Sequence, residues 1–300
     1  MNIKNALLIC GRNFVLIWKQ MVYTIILGIV VGLCLWGTLT PIFEMLEAEG
    51  WFSSLVGYFE SIYKSPETFA SGFELLLSDL WRLFVVNMPS LWGSYIVSIL
   101  LILLVSNVAF YLSYFTAGDL VNAKLCSSVN YGWIHRFLSS LKRSVPYALL
   151  ETAIRLPFLA LQVGAFMLYG VLANSWIKAT LLLPLLIILL LAIASIRFTL
   201  TMWFLPATVS TNEKLSKCLT KNFSMAVKNF GKFSLSTFVL FLVEFACVMI
   251  ITVFTIGAGL ILLIPAIPVV NVAYSLISYY QVNSMRYYID SNTIVSPVQD

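Results

Sequence analysis

The sequence predicts an all-α membrane protein: six transmembrane helices arranged as three hairpins, with amphipathic interfacial helices preceding spans one, three and five. Three observations predict it. First, 60% of the 300 residues are hydrophobic and 10% are charged, with a mean hydropathy of +0.94, whereas a soluble domain carries about a quarter charged residues. Second, the stretches 21–43, 91–117, 145–172, 179–205, 233–256 and 260–283 each reach the roughly 20 apolar residues needed to cross about 30 Å of hydrocarbon. Third, Lys and Arg are concentrated in alternate connections. Lys4, Arg12 and Lys19 precede span one; Lys124, Arg136, Lys142 and Arg143 lie between spans two and three. Lys214, Lys217, Lys221, Lys228 and Lys232 lie between spans four and five, against Lys64, Arg82 and Lys178 on the other side. By the positive-inside rule both termini are expected in the cytoplasm.

The polar stretches are short and broken by aromatics, so residues 1–300 are read as a single polytopic membrane domain. Residues 1–20 are its first interfacial helix. The apolar run from Ala6 to Cys10 is brief and no small-residue cleavage site follows it, so span one is expected to be retained. Hairpin one, 21–117, contains a long outer loop, 44–90, with Glu44, Glu47, Glu49, Glu60, Glu67, Glu74 and Asp79. Ser65-Pro66-Glu67 signals a helix start, and Phe69, Phe73, Leu76, Leu80 and Phe84 recur at helical spacing. The prediction is an amphipathic helix lying on the outer surface.

Residues 118–205 hold the second interfacial helix and hairpin two. Ile134, Phe137, Leu138 and Leu141 share one helical face, opposite Arg136 and Arg143. Residues 206–283 repeat the plan: Ser210 and Glu213 have the spacing of a capping box. Lys214, Lys217, Lys221 and Lys228 then fall on one side, and Leu215, Leu219, Ala226 and Phe230 on the other. Such basic helices would lie in the interface with lysines toward anionic headgroups, each worth about 1 kcal/mol near the surface. "FVLIWK" (14–19), "FLSSLK" (137–142) and "FSMAVK" (223–228) each place Phe five residues before Lys, a weak repeat in a consistent place. "GAG" at 257–259 predicts a tight turn between spans five and six, and 284–300 a cytoplasmic tail. Cys10, Cys34, Cys126, Cys218 and Cys247 form no CxxC pair and are read as inert thiols.

The stretch "RFTLTMWFLPATVSTNEKLSKCLTKNFSMAVKNFGKF", 197–233, resembles the membrane domain of some glycerophosphodiester phosphodiesterases and of related six-span bacterial families of unassigned role. The matching elements are Arg197 late in a span, Pro206 at its cytoplasmic end, Glu213 soon after, and an amphipathic helix through Lys221, Asn222 and Phe223 to Gly231-Lys232-Phe233. The resemblance implies a multi-pass module of the bacterial cytoplasmic membrane. It does not transfer phosphodiesterase activity, which in those enzymes belongs to a separate soluble domain with a metal site of acidic residues and histidines. This chain has one histidine, His135.

Charges at mid-membrane cost about 2.5 to 3.5 kcal/mol each on insertion scales, so they face inward and pair. Four qualify: Glu151 and Arg155 in span three, Arg197 in span four and Glu244 in span five. At 1.5 Å per residue they lie about 9, 15, 12 and 18 Å from the cytoplasmic ends of their spans, so all four fit one neutral layer. Three readings are open: a clasp of ion pairs fixing spans three to five, a wetted cavity for a polar ligand, or a proton-coupled carboxylate. Pro157 removes a hydrogen bond to the carbonyl of Ala153; Asn107, Gln162 and Asn271 are further polar groups for the same interior. Pro265 and Pro268 allow a break in span six of the kind that binds ions in transporters.

The chain contains no HExxH, P-loop or GxSxG motif and no clustered His and Cys ligands, so no catalytic residue, metal site or cofactor is expected. The net charge of +5 is accounted for by topology and does not indicate nucleic-acid binding. The expected partners are membrane lipids with anionic headgroups and a second membrane protein. The expected role is a non-enzymatic accessory or membrane-homeostasis module; the alternative is a small transporter or permease component using the buried charges.

Overall fold

The computed structural model describes residues 2–65, 67, 69–126, 132–173, 179–211, 213–255, 257–290 and 293–295. Among them the chain forms ten α-helices: α1 (Asn2–Arg12), α2 (Phe14–Ala48), α3 (Trp51–Lys64), α4 (Phe69–Leu101), α5 (Asn107–Cys126), α6 (Trp133–Ala173), α7 (Ala179–Thr201), α8 (Phe204–Ser210), α9 (Leu215–Thr255) and α10 (Leu260–Val282). A π-helical turn, Ile102–Ser106, joins α4 to α5, and a hairpin of β1 (Tyr287–Asp290) and β2 (Thr293–Val295) follows α10. Six helical stretches are long and apolar enough to cross a membrane: Phe14–Leu33, Pro89–Cys126, Trp133–Leu172, Leu182–Ser210, Leu215–Thr255 and Leu260–Val282. This is the all-α, six-span architecture of a multi-pass membrane protein.

Helix length is where observation departs from expectation. Helices α6 and α9 have 41 residues each, about 62 Å at 1.5 Å per residue, roughly twice the hydrocarbon thickness. The basic stretches before spans three and five are therefore the first turns of these continuous helices and not separate elements. The helices run through what stands at these junctions: α6 continues past Pro146 and Pro157 although an interior proline costs about 3 kcal/mol, and α9 past Gly231, whose cost is only about 1 kcal/mol. The short helix before span one, by contrast, is distinct. Asn13 interrupts it, donating its backbone N–H to the carbonyls of Ile9 and Cys10 and its side-chain amide to Ile9 at 2.8 Å, which satisfies the end of α1.

The chain divides into two compact units. The first comprises 1–28, 107–156 and 194–300. Its core is the second half of α10, where Val272, Ala273, Tyr274, Leu276 and Ile277 are fully buried, packed with Ala6 and Cys10 of α1, Phe115 and Val121 of α5, and Trp203 and Phe204. Gly118 lets α8 approach α5, since a Cβ there would stand 2.7 Å from a Leu205 methyl. The break between α7 and α8 follows from Pro206, which has no N–H to give the Met202 carbonyl. Asn222 of α9 closes that break: its Oδ1 accepts from Trp203 N at 3.0 Å and its Nδ2 donates to Leu200 O at 2.8 Å.

The sequence of 206–215 behaves differently from the expected capping box. Ser210 Oγ donates back to Pro206 O at 2.6 Å, ending α8, and α9 starts only at Leu215. Gly257 does make the turn before α10, with φ of 82°, a conformation that favours glycine. The segment after α10 is not a plain tail: Tyr287 is buried, and Asn5 Nδ2 donates to its hydroxyl at 2.9 Å.

The second unit comprises 29–106 and 157–193. Here α3 packs on the start of α4, where Tyr58 Oη donates to Phe69 O at 3.2 Å and its ring covers Gly72. The stripe expected on the outer surface is the first half of α4, continuous with the second span. Phe73 packs against Ala165, Tyr169, Leu183 and Leu186, while Leu80 and Phe84 pack against Ile42, Leu46 and Leu83. Its apolar face is taken up by protein. Pro66 and Thr68, at the predicted helix start, lie outside the described residues.

Candidate functional site

The first unit gathers polar side chains from three spans. On α5, Asn107, Tyr111 and Tyr114 are spaced to share one face; on α6, Tyr147, Glu151 and Arg155 do the same. Arg155 Nη1 donates to Asn107 Oδ1 at 2.7 Å and Arg197 Nη1, from α7, donates to Tyr111 Oη at 2.8 Å. Tyr147 Oη donates to Glu151 Oε1 at 3.4 Å. The Tyr111 ring lies edge-on to Tyr114 and Tyr147, at 6.2 and 6.5 Å. Asn107 is the first residue after the π turn, the kind of local helix irregularity that often accompanies functional positions.

Glu151 is 3% exposed, and the charges of both Arg197 and Arg155 act on it. Among the described residues no two of the four predicted charges stand within the 4.0 Å of an ion pair. The expected clasp of direct ion pairs is thus replaced by charges held on neutral partners from other helices. The physical reason is that Tyr111, packed edge-on to Tyr147, takes the Arg197 guanidinium, whose charge still acts on Glu151.

Among the described residues no hydrogen bond or ion pair joins Glu244 to this cluster. Its neighbour is Asn271 of α10, whose Nδ2 donates to Glu244 Oε2 at 3.5 Å, a weak contact at the limit of hydrogen-bond length. Counting residues along a span addresses depth alone, and depth says nothing of which way the side chain turns about the helix axis. Gln162 belongs to the other compact unit. Of the three polar groups expected in one interior, Asn107 meets Arg155 in the cluster, whereas Asn271 meets Glu244 apart from it.

Some polar atoms are left over. Glu151 Oε2, Thr152 Oγ1, Glu244 Oε1 and Asn271 Oδ1 are buried without a hydrogen-bond partner among the described residues, each a cost of about 1 to 3 kcal/mol. Helix α10 continues unbroken through Pro265 and Pro268, and both are buried, so the break these prolines would allow in span six does not occur.

The lysines just before and along α9 separate by contact. Lys214, Lys217, Lys221 and Lys228 are exposed; Lys217 Nζ meets Glu213 Oε1 at 2.9 Å, holding that carboxyl below its usual range. Lys221 Nζ donates to Tyr279 Oη at 3.2 Å and lies 5.6 Å from that ring's centroid. The opposite face of α9, with Leu215, Leu219 and Ala226, packs on the protein core instead of facing an acyl boundary. On α6 the arrangement is reversed. Arg136 pairs with Asp119 at 3.2 Å and Arg143 donates to Thr211 and Glu213 carbonyls, while Ile134 and Leu138 are 71% and 60% exposed.

Sequence reasoning missed Tyr111 and Tyr147, and although it singled out Asn222 within the resemblance it missed that residue's role at the α7–α8 break. Tyr111 and Tyr114 recur three residues apart inside an apolar span, which is a readable sign of an inward polar face; Asn222 gave no sign beyond being an amide in a basic helix. Among the described residues no group of three or more His, Cys, Asp or Glu is placed to hold a metal ion. No family model, no curated protein and no solved structure matches the chain.

Proposed function

We propose that this chain is a non-enzymatic integral protein of a bacterial cytoplasmic membrane, with both termini cytoplasmic, acting through contacts with anionic lipids or a membrane-protein partner. The observation that carries the reading is the way Arg155 and Arg197 are used: each reaches across to a neutral side chain of α5. Charges committed to neighbouring helices serve packing. The exposed lysines of α9, of which Lys217 is paired with Glu213, are suited to headgroups. The likeness over 197–233 to six-span bacterial membrane domains supports a membrane module and brings no chemistry with it.

A second reading, a small transporter, is favoured by one observation: Glu151 carries a buried carboxylate oxygen without a partner, as a proton-coupled carboxylate would. Native mass spectrometry of extracts from the native membrane separates the two, together with a flux assay in liposomes. Co-purified anionic lipid or a stoichiometric membrane protein, with no flux, is the expected result. Proton-dependent flux lost in Glu151→Gln, in a variant of normal folded yield, would establish the transporter instead.

A further inference from the structure

Helix α3 divides its circumference three ways. At about 100° per residue, Trp51, Leu55, Tyr58 and Ile62 fall within about 60° of one another. Tyr58 is buried against Gly72 and Phe73 of α4, Trp51 packs on Ile42, Leu46 and Leu83, and Leu55 and Ile62 are half-buried. Ser53, Glu60 and Lys64 form a polar arc with Gly57, all of it exposed. Between the two arcs lie Phe52, Val56, Phe59 and Tyr63, again within about 60°. They are 37, 58, 45 and 81% exposed. The apolar face of α3 is thus twice as wide as the part that protein covers.

The surroundings of the bare half indicate what covers it. On α2, Leu33, Trp36 and Phe43 are 73, 69 and 43% exposed, and the next exposed side chains are Glu44, Glu47 and Glu49. That change of polarity marks the end of an apolar layer at Phe43. The Phe52 ring lies 6.2 Å from the Phe43 ring, so the bare stripe of α3 begins where the exposed apolar face of α2 stops. Gly50 makes the turn between the two helices with φ of 70°, a conformation that favours glycine, and its N–H donates to Glu47 O at 2.9 Å. Aromatic side chains collect at the boundary between hydrocarbon and water, and three of the four bare residues are Phe or Tyr. With 14 residues, α3 is about 21 Å long, too short to cross about 30 Å of hydrocarbon.

We infer that α3 is an in-plane membrane helix whose Phe52, Val56, Phe59 and Tyr63 sit among the upper acyl carbons of the leaflet at the far end of α2. Glu60 and Lys64 then face headgroups and water, the arrangement of an amphipathic helix lying in the interface. This is the role the sequence pattern suggested for the stripe from Phe69 to Phe84, whose apolar side protein covers instead. Tyr58 and Trp51 hold α3 on α4 and α2 beforehand, so little binding energy is spent on ordering it. The inference goes beyond the lipid-contact reading of function, because this contact is apolar and independent of headgroup charge.

The test places the photocrosslinker benzoylphenylalanine at Phe59 or Tyr63 on the stripe, and at Ser53 or Gly57 on the polar arc, in the full chain reconstituted into liposomes of phosphatidylcholine or of phosphatidylglycerol. After irradiation, lipid adducts are read by mass spectrometry and protein adducts by gel mobility. Stripe positions should give about tenfold more lipid adduct than polar-arc positions, to the same extent in both lipids. If the Phe59 variant is poorly folded, Tyr63, the more exposed position, carries the same expectation. Equal adducts at all four positions, or none on the stripe, overturn the inference. A crosslinked dimer from the stripe overturns it in favour of a second copy of the chain, and adducts confined to phosphatidylglycerol overturn it in favour of recruitment by headgroup charge, which would leave the broader lipid-contact reading standing.

Discussion

The two compact units solve the burial of helices by different means. The first holds one large core containing Trp203, Tyr147, Tyr274, Tyr279 and Tyr280 at under 2% exposure, threaded by buried polar groups such as Gln20, Glu151, Asn222 and Ser275. The second has two small apolar clusters, around Tyr169 and Leu186 and around Ile42 and Leu83, with Ser98 and Thr38 supplying a hydroxyl pair at 3.0 Å. It leaves Leu33, Trp36, Val86 and Val171 at 67% exposure or more. Lipid is as apolar as leucine, so apolar burial alone specifies little between membrane helices. The difference teaches that specificity in this chain is concentrated where polar groups cross between helices.

The sharpest way to break this comparison is to remove a crossing charge. Arg197→Ala leaves Tyr111 Oη without its donor and Glu151 without the stronger of its two compensating charges; a loss of about 3 kcal/mol is expected, read as reduced folded yield and a lower melting temperature in detergent. Asn222→Ala strands the Trp203 N–H and the Leu200 carbonyl in the core. It is expected to cost about 2 kcal/mol, with backbone amide exchange rising first at the α7–α8 junction. Ser98→Ala, in the second unit, removes one hydroxyl from an otherwise apolar setting and should cost about 0.6 kcal/mol, the typical value for such a bond between membrane helices. If Ser98→Ala proves as damaging as Arg197→Ala, the contrast between the units fails.

Much of the fold was legible because hydropathy and length are one-dimensional. The six spans, the glycine turn at 257 and the clustering of basic residues emerge from counting along the chain. The ends of the spans did not: 118–144 and 206–232 read as holding separate amphipathic helices because they are more polar than the spans they lead into, yet α6 and α9 run through that change without a backbone break. Polarity sets where a helix is solvated, not where it stops. In the site, residue counts placed Glu151, Arg155 and Arg197 at one depth, but partners depend on rotation about each helix axis. Rotation is why Arg155 meets Asn107, Arg197 meets Tyr111 and Glu244 meets Asn271 instead of one another.

A smaller effect sharpens the first unit's picture at its edge. Burial pushes the Cys10 thiol up from 9.0 to about 12, so the neutral form is favoured on folding. Its contribution is complete below about pH 9 and is lost as pH rises toward 12. Because the thiolate is the nucleophile, Cys10 should resist maleimide near pH 8 in folded protein and react promptly once unfolded, as followed by mass spectrometry of the labelled peptides. Fast labelling of the native protein would show that α1 detaches from the core.

The central claim is that the buried charges of the first unit serve packing. It is tested most directly by the melting temperature and folded yield of Arg155→Ala in detergent, alongside solute and proton flux of the same variant in liposomes. The account predicts a lower melting temperature and lower yield, because Asn107 loses the partner it holds at 2.7 Å, with no flux in either wild type or variant. Unchanged melting and yield, accompanied by loss of a flux that the wild type possesses, would contradict it.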